Sequence, residues 1–374
     1  MLKVPELTER RVSKVNLDFK LPKWTWIWPL IGFILLGPAF FLKMDLAVIS
    51  ICGLVIFGVV FAAVYHAEVV AHRVGEPFGT LVLALCVTVI EGALIISLML
   101  LGPEKATLAR DTVFATVMII CNGLVGLCLL AGGLRHHEQG FHLQGALAAL
   151  AVLMALTVIV LLLPNYTTTM SGPSYSSEQL LFAGLCSLIL YGSFVFVQTI
   201  RHRDYFLPDV NTADEDAHAE PPSNKTTLVS LGLLSVSLVA VVGLAKAVSP
   251  AIELWVMKIG APLTTVGIII ALLVLLPESV AAFRAARANR LQTSMNLAMG
   301  SALATIGLTI PCVVIIAVLF DLDLVLGIGP KEGILLALTL AVSMITIGTG
   351  RTTVLQGIVH LVIFAMFLFI TIVP

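Results

Sequence analysis

Apolar residues fall in long unbroken runs joined by short polar connections. About 20 consecutive apolar residues is the length at which a helix crosses the hydrocarbon core of a bilayer. Such runs occupy 25–42, 46–66, 78–102, 111–133, 144–164, 177–200, 227–248, 261–283, 294–320, 331–350 and 354–373. The pattern predicts an all-α polytopic membrane protein of about 11 transmembrane helices. The runs are continuous, not alternating, which excludes barrel strands of about ten residues. One connection stands apart. Residues 201–226 are polar and carry Asp204, Asp209, Asp214, Glu215, Asp216 and Glu220 among Pro208, Pro221 and Pro222. They read as a mobile acidic loop that splits the chain near its middle.

Composition agrees. Of 374 residues, 59% are hydrophobic and 11% charged, and mean hydropathy is +1.06. A soluble domain carries about 25% charged residues, so this chain cannot clothe a water-facing globule. Soluble enzymes, nucleic-acid binders and disordered hubs are excluded. Net charge is −1 and names no partner, but its distribution sets an orientation. With the N-terminus inside, 15 Lys and Arg fall on inside segments and 6 on outside ones. That bias predicts a cytoplasmic N-terminus and an external C-terminus. Residues 1–24 form a polar arm before a run too long for a signal-peptide core, so the arm is expected to remain. Cys52, Cys86, Cys121, Cys128, Cys186 and Cys312 all lie in apolar runs. They read as small buried hydrophobes, with no disulfide or metal framework.

Setting aside an extra first helix at 25–45, five helices precede the acidic loop (46–200) and five follow it (227–374). An odd number per half forces the halves into opposite orientations. Inverted repeats of this kind build secondary transporters with the ion site near the midplane. Two carboxylates sit well inside apolar runs, Glu91 and Glu278, and each lies in the second helix of its half. The following helices align without gaps at an offset of 184, 112–124 over 296–308, placing Gly123 over Gly307. A carboxylate in hydrocarbon costs at least about 2.5 kcal/mol. It persists when protonated, paired or bound to a cation. Two at matching repeat positions point to ion binding rather than to isolated helix–helix hydrogen bonds.

The neighbours suit a cation cage. Thr88 lies one turn before Glu91 on the same face, and Asn122, Asn296, Ser301 and Thr305 supply neutral oxygens at membrane depth. Gly92, Gly123, Gly300 and Gly307 permit close helix approach. Pro277, just before Glu278, is expected to kink the helix and free carbonyls. Calcium takes 6–8 oxygen ligands. Two carboxylates neutralise one divalent ion or two protons, so protons and cation compete for the same oxygens. With the site exposed to each side in turn, competition becomes exchange. HAEVVAH (66–72) lacks the spacing of a zinc-protease motif and reads as a polar interfacial segment. HHEQGFH (136–142) reads as a cytoplasmic loop.

HAEVVAHRVGEPFGTLVLALCVTVIEGALIISLM, RDTVFATVMI, LPESVAAFRAARANRLQTSMNLAMGSALATIGLTIP and GRTTVLQGIVHL resemble the bacterial ChaA-type calcium/sodium–proton antiporters. These form part of the cation/proton exchanger branch of the calcium/cation antiporter superfamily. The resemblance runs from about residue 46 to the end and implies a ten-helix inverted-repeat core, often with one extra helix. It implies that Glu91 and Glu278 bind the ion and carry protons. The wider superfamily places Gly-Asn before its acid, as GN-x-x-E. Here those positions are Val87 and Thr88, and Val274 and Leu275. The cage is poorer in amide oxygen, so Na⁺ and K⁺ join Ca²⁺ as candidate ions. The reading is a proton-coupled cation antiporter of a bacterial inner membrane, exporting Ca²⁺ or Na⁺. The alternatives are a cation channel, which would not need inverted repeats, and an intramembrane enzyme, whose nucleophile and metal motifs are missing. Expected partners are inorganic cations, protons and the lipid bilayer, with no nucleic acid and no bound cofactor.

Overall fold

The computed structural model describes residues 21–39, 41, 45–75, 78–207, 222–258, 260–262 and 264–373. Most of the polar arm, and residues 208–221 of the acidic loop, lie outside them. Among the described residues eleven helices follow one another: α1 (Lys23–Ala39), α2 (Leu46–Val74), α3 (Phe78–Met99), α4 (Pro103–His136), α5 (Leu143–Tyr166), α6 (Ser177–Arg201), α7 (Asn224–Lys258), α8 (Thr264–Arg287), α9 (Leu291–Leu319), α10 (Pro330–Gly348) and α11 (Val354–Ile372). Each predicted run is one helix. Their ends are set by caps: Asp45 accepts the Val48 amide to open α2. Capping boxes of Ser176 with Gln179 and Thr353 with Gln356 open α6 and α11. Each satisfies amides that the first turn leaves free.

Two helices outrun their apolar runs. α2 continues to Val74 and carries the whole HAEVVAH segment as helix. α7 spans 35 residues, about 52 Å at 1.5 Å per residue, far beyond the hydrocarbon thickness. Of the break or kink expected at Pro277, the break is not found: α8 is continuous through it. Proline removes one ladder hydrogen bond, and the packing of α8 against α4 and α9 holds the helix together. Irregularity sits elsewhere. π-helical turns interrupt α4 at Ile119–Leu124 and α9 at Thr305–Thr309, stretches that overlap at the 184-residue offset.

Two hydrophobic clusters form the interior. A small one joins α1, α2 and α7 to one face of α3 and α8, through residues such as Val59, Ala240, Ile90 and Val274. A large one joins α4–α6 and α9–α11 to the other face of α3 and α8, through Ile95, Ala271, Leu153 and Leu303. α3 and α8 therefore stand between two packed bodies. Around them large apolar side chains face outward, among them Phe182, Ile345 and Val362, as a lipid-facing surface requires. For the same reason not every cysteine is interior: Cys52, Cys121 and Cys128 are buried, but Cys86 and Cys186 are half-buried and Cys312 is exposed, all as free thiols. A two-stranded ribbon pairs Gln139 with Thr352 and Gly140 with Arg351, tying the loop before α5 to the loop before α11.

Candidate functional site

Glu91 lies on α3, 2% exposed. Its Oε2 accepts hydrogen bonds from Thr305 Oγ1 at 2.8 Å and Thr309 Oγ1 at 3.1 Å. Both hydroxyls come from the π turn of α9. Residues four apart lie on one helix face, so the pair closes on a single oxygen. Gly92 is not required for this approach, because a Cβ there would meet the Thr309 methyl at an ordinary contact distance of 3.8 Å. Thr305 was expected at the site. Thr309 was not, although its place one turn after Thr305 was visible in the sequence.

Glu278 lies on α8. Its Oε2 is enclosed and has no hydrogen-bond partner. The Glu91 carboxylate acts on Glu278 through space. An unpaired buried oxygen next to a second carboxylate is a costly arrangement without a counter-charge. With both acids ionised, one divalent cation or two protons would balance the pair. The two acids also differ in support. At the 184-residue offset Thr305 and Thr309 match Cys121 and Val125, so the hydroxyl pair serves one half only.

A third acid bears on the site. Glu68 of α2, from the segment read as a mere interfacial stretch, is exposed yet also acts electrostatically on Glu278. Sequence pattern missed it because the apolar run seemed to end before it.

The other expected ligands are placed differently. Thr88 is buried at 4% exposure, one turn before Glu91. Ser301 is half-buried on α9, one turn before Thr305. Asn296 donates to the Phe206 carbonyl at 2.6 Å and accepts from Gln292 at 3.0 Å. It docks the chain leaving α6 rather than facing the acids. Asn122 is fully buried and turned to the far side of α4. Its Nδ2 donates to Thr339 Oγ1 at 2.8 Å, and its Oδ1 meets His360 Nδ1 at 3.1 Å. In this arrangement each amide is hydrogen-bonded at both ends to partners other than the acids. In the HHEQGFH loop, His136 donates to the Arg287 carbonyl at 3.0 Å and Gln139 to that of Ala286 at 2.9 Å. The loop fastens α4 to the end of α8.

The family described as Sodium/calcium exchanger protein matches residues 44–200 and 229–373. The y4hA protein of Sinorhizobium fredii is 48% identical over 358 residues, covering 95% of this chain and 97% of its own. The sodium-potassium/proton antiporter ChaA of Escherichia coli is 37% identical over 326 residues, covering 86% of this chain and 88% of its own. Among solved structures, native YfkE superposes with a TM-score of 0.72 at 16% identity over 94% of this chain and 100% of that chain. The H⁺/Ca²⁺ exchanger CAX gives 0.70 at 15% identity over 94% of this chain and 89% of that chain. The two structures share the fold.

Proposed function

The chain belongs to the sodium/calcium exchanger protein family, and from this premise we propose how a proton-coupled cation antiporter is built from its two buried carboxylates. The protein is an integral membrane cation/proton antiporter and not an enzyme. Glu91 and Glu278 form one site that holds either a cation or protons. Ca²⁺, Na⁺ and K⁺ are the candidate cations; one relative is a sodium-potassium/proton antiporter by name. Thr305 and Thr309 supply hydroxyl oxygens beside Glu91, and Thr88 and Ser301 stand one turn away on the same two helices.

The observation that carries this reading is the orphaned Glu278 Oε2 within electrostatic reach of Glu91. A cation between them balances both charges. Without it, protons must. The two states exclude each other because they use the same oxygens. The repeats 46–200 and 227–374, inverted relative to one another, would expose the site to each face in turn. Its seat on α3 and α8, between the two hydrophobic clusters, suits such a motion, since the bodies on either side pack as separate units. Orientation follows the Lys/Arg bias: N-terminus and acidic loop in the cytoplasm, in a bacterial inner membrane, with the cation carried outward.

The test is uptake of labelled Ca²⁺, Na⁺ and K⁺ into inverted vesicles. Uptake that requires an imposed pH gradient and collapses when it is dissipated is the expected result. Cation flux without a counter-gradient would mark a channel and overturn the reading.

A further inference from the structure

His360 of α11 is fully buried, as are Asn122 of α4 and Thr339 of α10, and Thr346 of α10 is 4% exposed. Their side chains hydrogen-bond to one another and to the Leu335 carbonyl, not to Glu91 or Glu278, and the exchange step uses none of them. Yet they form a continuous chain. The Leu335 carbonyl can only accept, so Thr339 Oγ1 donates to it at 2.7 Å. Thr339 Oγ1 therefore accepts from Asn122 Nδ2. That turns Asn122 Oδ1 toward His360, which must present Nδ1–H. The neutral ring then offers Nε2 as acceptor, and Thr346 Oγ1 donates to it at 3.1 Å. Every donor finds an acceptor, and one tautomer is specified.

Asn122 sits within the π turn Ile119–Leu124. That turn packs against α8, the helix of Glu278, on one side. On the other it is pressed against α11: a Cβ at Gly123 would lie 3.2 Å from Phe364, and one at Gly126 would lie 3.0 Å from the His360 Cβ. π turns are rare single-turn interruptions of α-helices, frequent at functional sites, and these two are each held by a polar contact from another helix. In the other half the anchor is the acid itself, since the π turn of α9 is bonded to Glu91 through Thr305 and Thr309. The α6–α9 crossing matches the α11–α4 crossing, with Gly307 against Tyr191 as Gly123 is against Phe364. There the counterparts of Asn122 and His360 are Ile306 and Ser187, and Ser187 bonds only its own helix, at the Ala183 carbonyl. Each π turn thus has one polar anchor: Glu91 for α9, His360 for α4.

We propose that His360 is a positioning residue for exchange: through Asn122 it fixes the π turn of α4 against which the Glu278 side of the cation site is set. The inference rests on the antiport reading and adds to it a residue remote from the ion.

The experiment compares His360→Ala, His360→Asn and His360→Gln in vesicles, reading KM and maximal rate for cation uptake separately and correcting for folded protein by size-exclusion chromatography. Asn places its amide nitrogen where Nδ1 stands and keeps the bond to Asn122. Gln extends its amide to where Nε2 stands, where its Oε1 can accept from Thr346 Oγ1, but leaves the bond to Asn122 unmade. His360→Ala is expected to raise the cation KM about tenfold, a loss near 1.4 kcal/mol. His360→Asn should restore KM to within about threefold, and His360→Gln should not. Asn122→Ala/His360→Ala together should cost no more than the larger single change, because both act through one bond. A wild-type KM in His360→Ala, equal rescue by Gln and Asn, or additive single effects would each overturn the assignment. If the alanine variant does not fold, the Asn/Gln contrast decides. Absence of gradient-driven uptake by the wild-type protein would instead defeat the antiport reading itself.

Discussion

Thr305 reaches across 214 residues of sequence to donate a 2.8 Å hydrogen bond to Glu91. That bond joins α9 to α3, one helix from each side of the acidic loop. It makes an acid of the first half depend on the second half for its ligand sphere. Hydrogen bonds to charged groups are worth about 1.5–3 kcal/mol. Thr305→Val is therefore expected to weaken cation affinity by about 10- to 100-fold. Thr309→Val, which removes the longer bond, should cost less. Concentration dependence of cation uptake for the two variants checks both the size and the order.

Glu91→Gln and Glu278→Gln should each abolish exchange while leaving the protein folded. The amide keeps the shape of the side chain but neither neutralises a cation nor carries a proton. Gradient-driven uptake at the wild-type rate in either variant, in a protein with normal elution and helicity, would remove that residue from the site.

Exchange should accelerate as the cytoplasmic side is taken from about pH 6 to about pH 9, because protons and cation compete for the same carboxylate oxygens. Fewer protons leave more sites open to the outgoing cation. The apparent midpoint belongs to the pair, so substituting one acid should change the whole profile. A flat rate across this range would contradict a shared site.

Gly357 of α11 lies where a Cβ would stand 2.5 Å from the Leu130 amide nitrogen and 2.9 Å from the Gly126 carbonyl. These are backbone atoms of α4, which cannot yield as a side chain would. Gly357→Ala should lower thermal stability in detergent by about 1–3 kcal/mol through overpacking. An unchanged melting temperature would show that α4 and α11 are less tightly joined than the structure has them.

A cysteine placed at Lys225, at the start of α7, should react with an impermeant thiol reagent only from the cytoplasmic face, and one at Asp323, between α9 and α10, only from the opposite face. Labelling in a protein stripped of reactive native thiols tests this. The reverse pattern would invert the orientation drawn from the Lys/Arg bias.

Sequence alone determined the class of this protein. Eleven apolar runs, each near bilayer length, leave a chain no soluble alternative, because solvent contact over so much hydrocarbon is prohibitive. It also singled out Glu91 and Glu278, since a carboxylate inside an apolar run is expensive and therefore conspicuous. Local pattern could go no further, because hydroxyls and amides cost little in a helix and carry no mark of what they face. Thr305 and Asn122 looked alike as neutral oxygens at membrane depth, and so did Thr309 and Asn296. Only the packing of α9 on α3 turned Thr305 and Thr309 onto Glu91. The packing of α4 on α10 and α11 turned Asn122 away, to Thr339 and His360. Pro277 shows the same limit from the other direction: intrinsic preference said break, and contacts with α4 and α9 kept α8 whole. Helix formation and membrane insertion are read residue by residue along the chain. Which face of a helix meets which neighbour is settled by contacts hundreds of residues apart, and that is where the site was made.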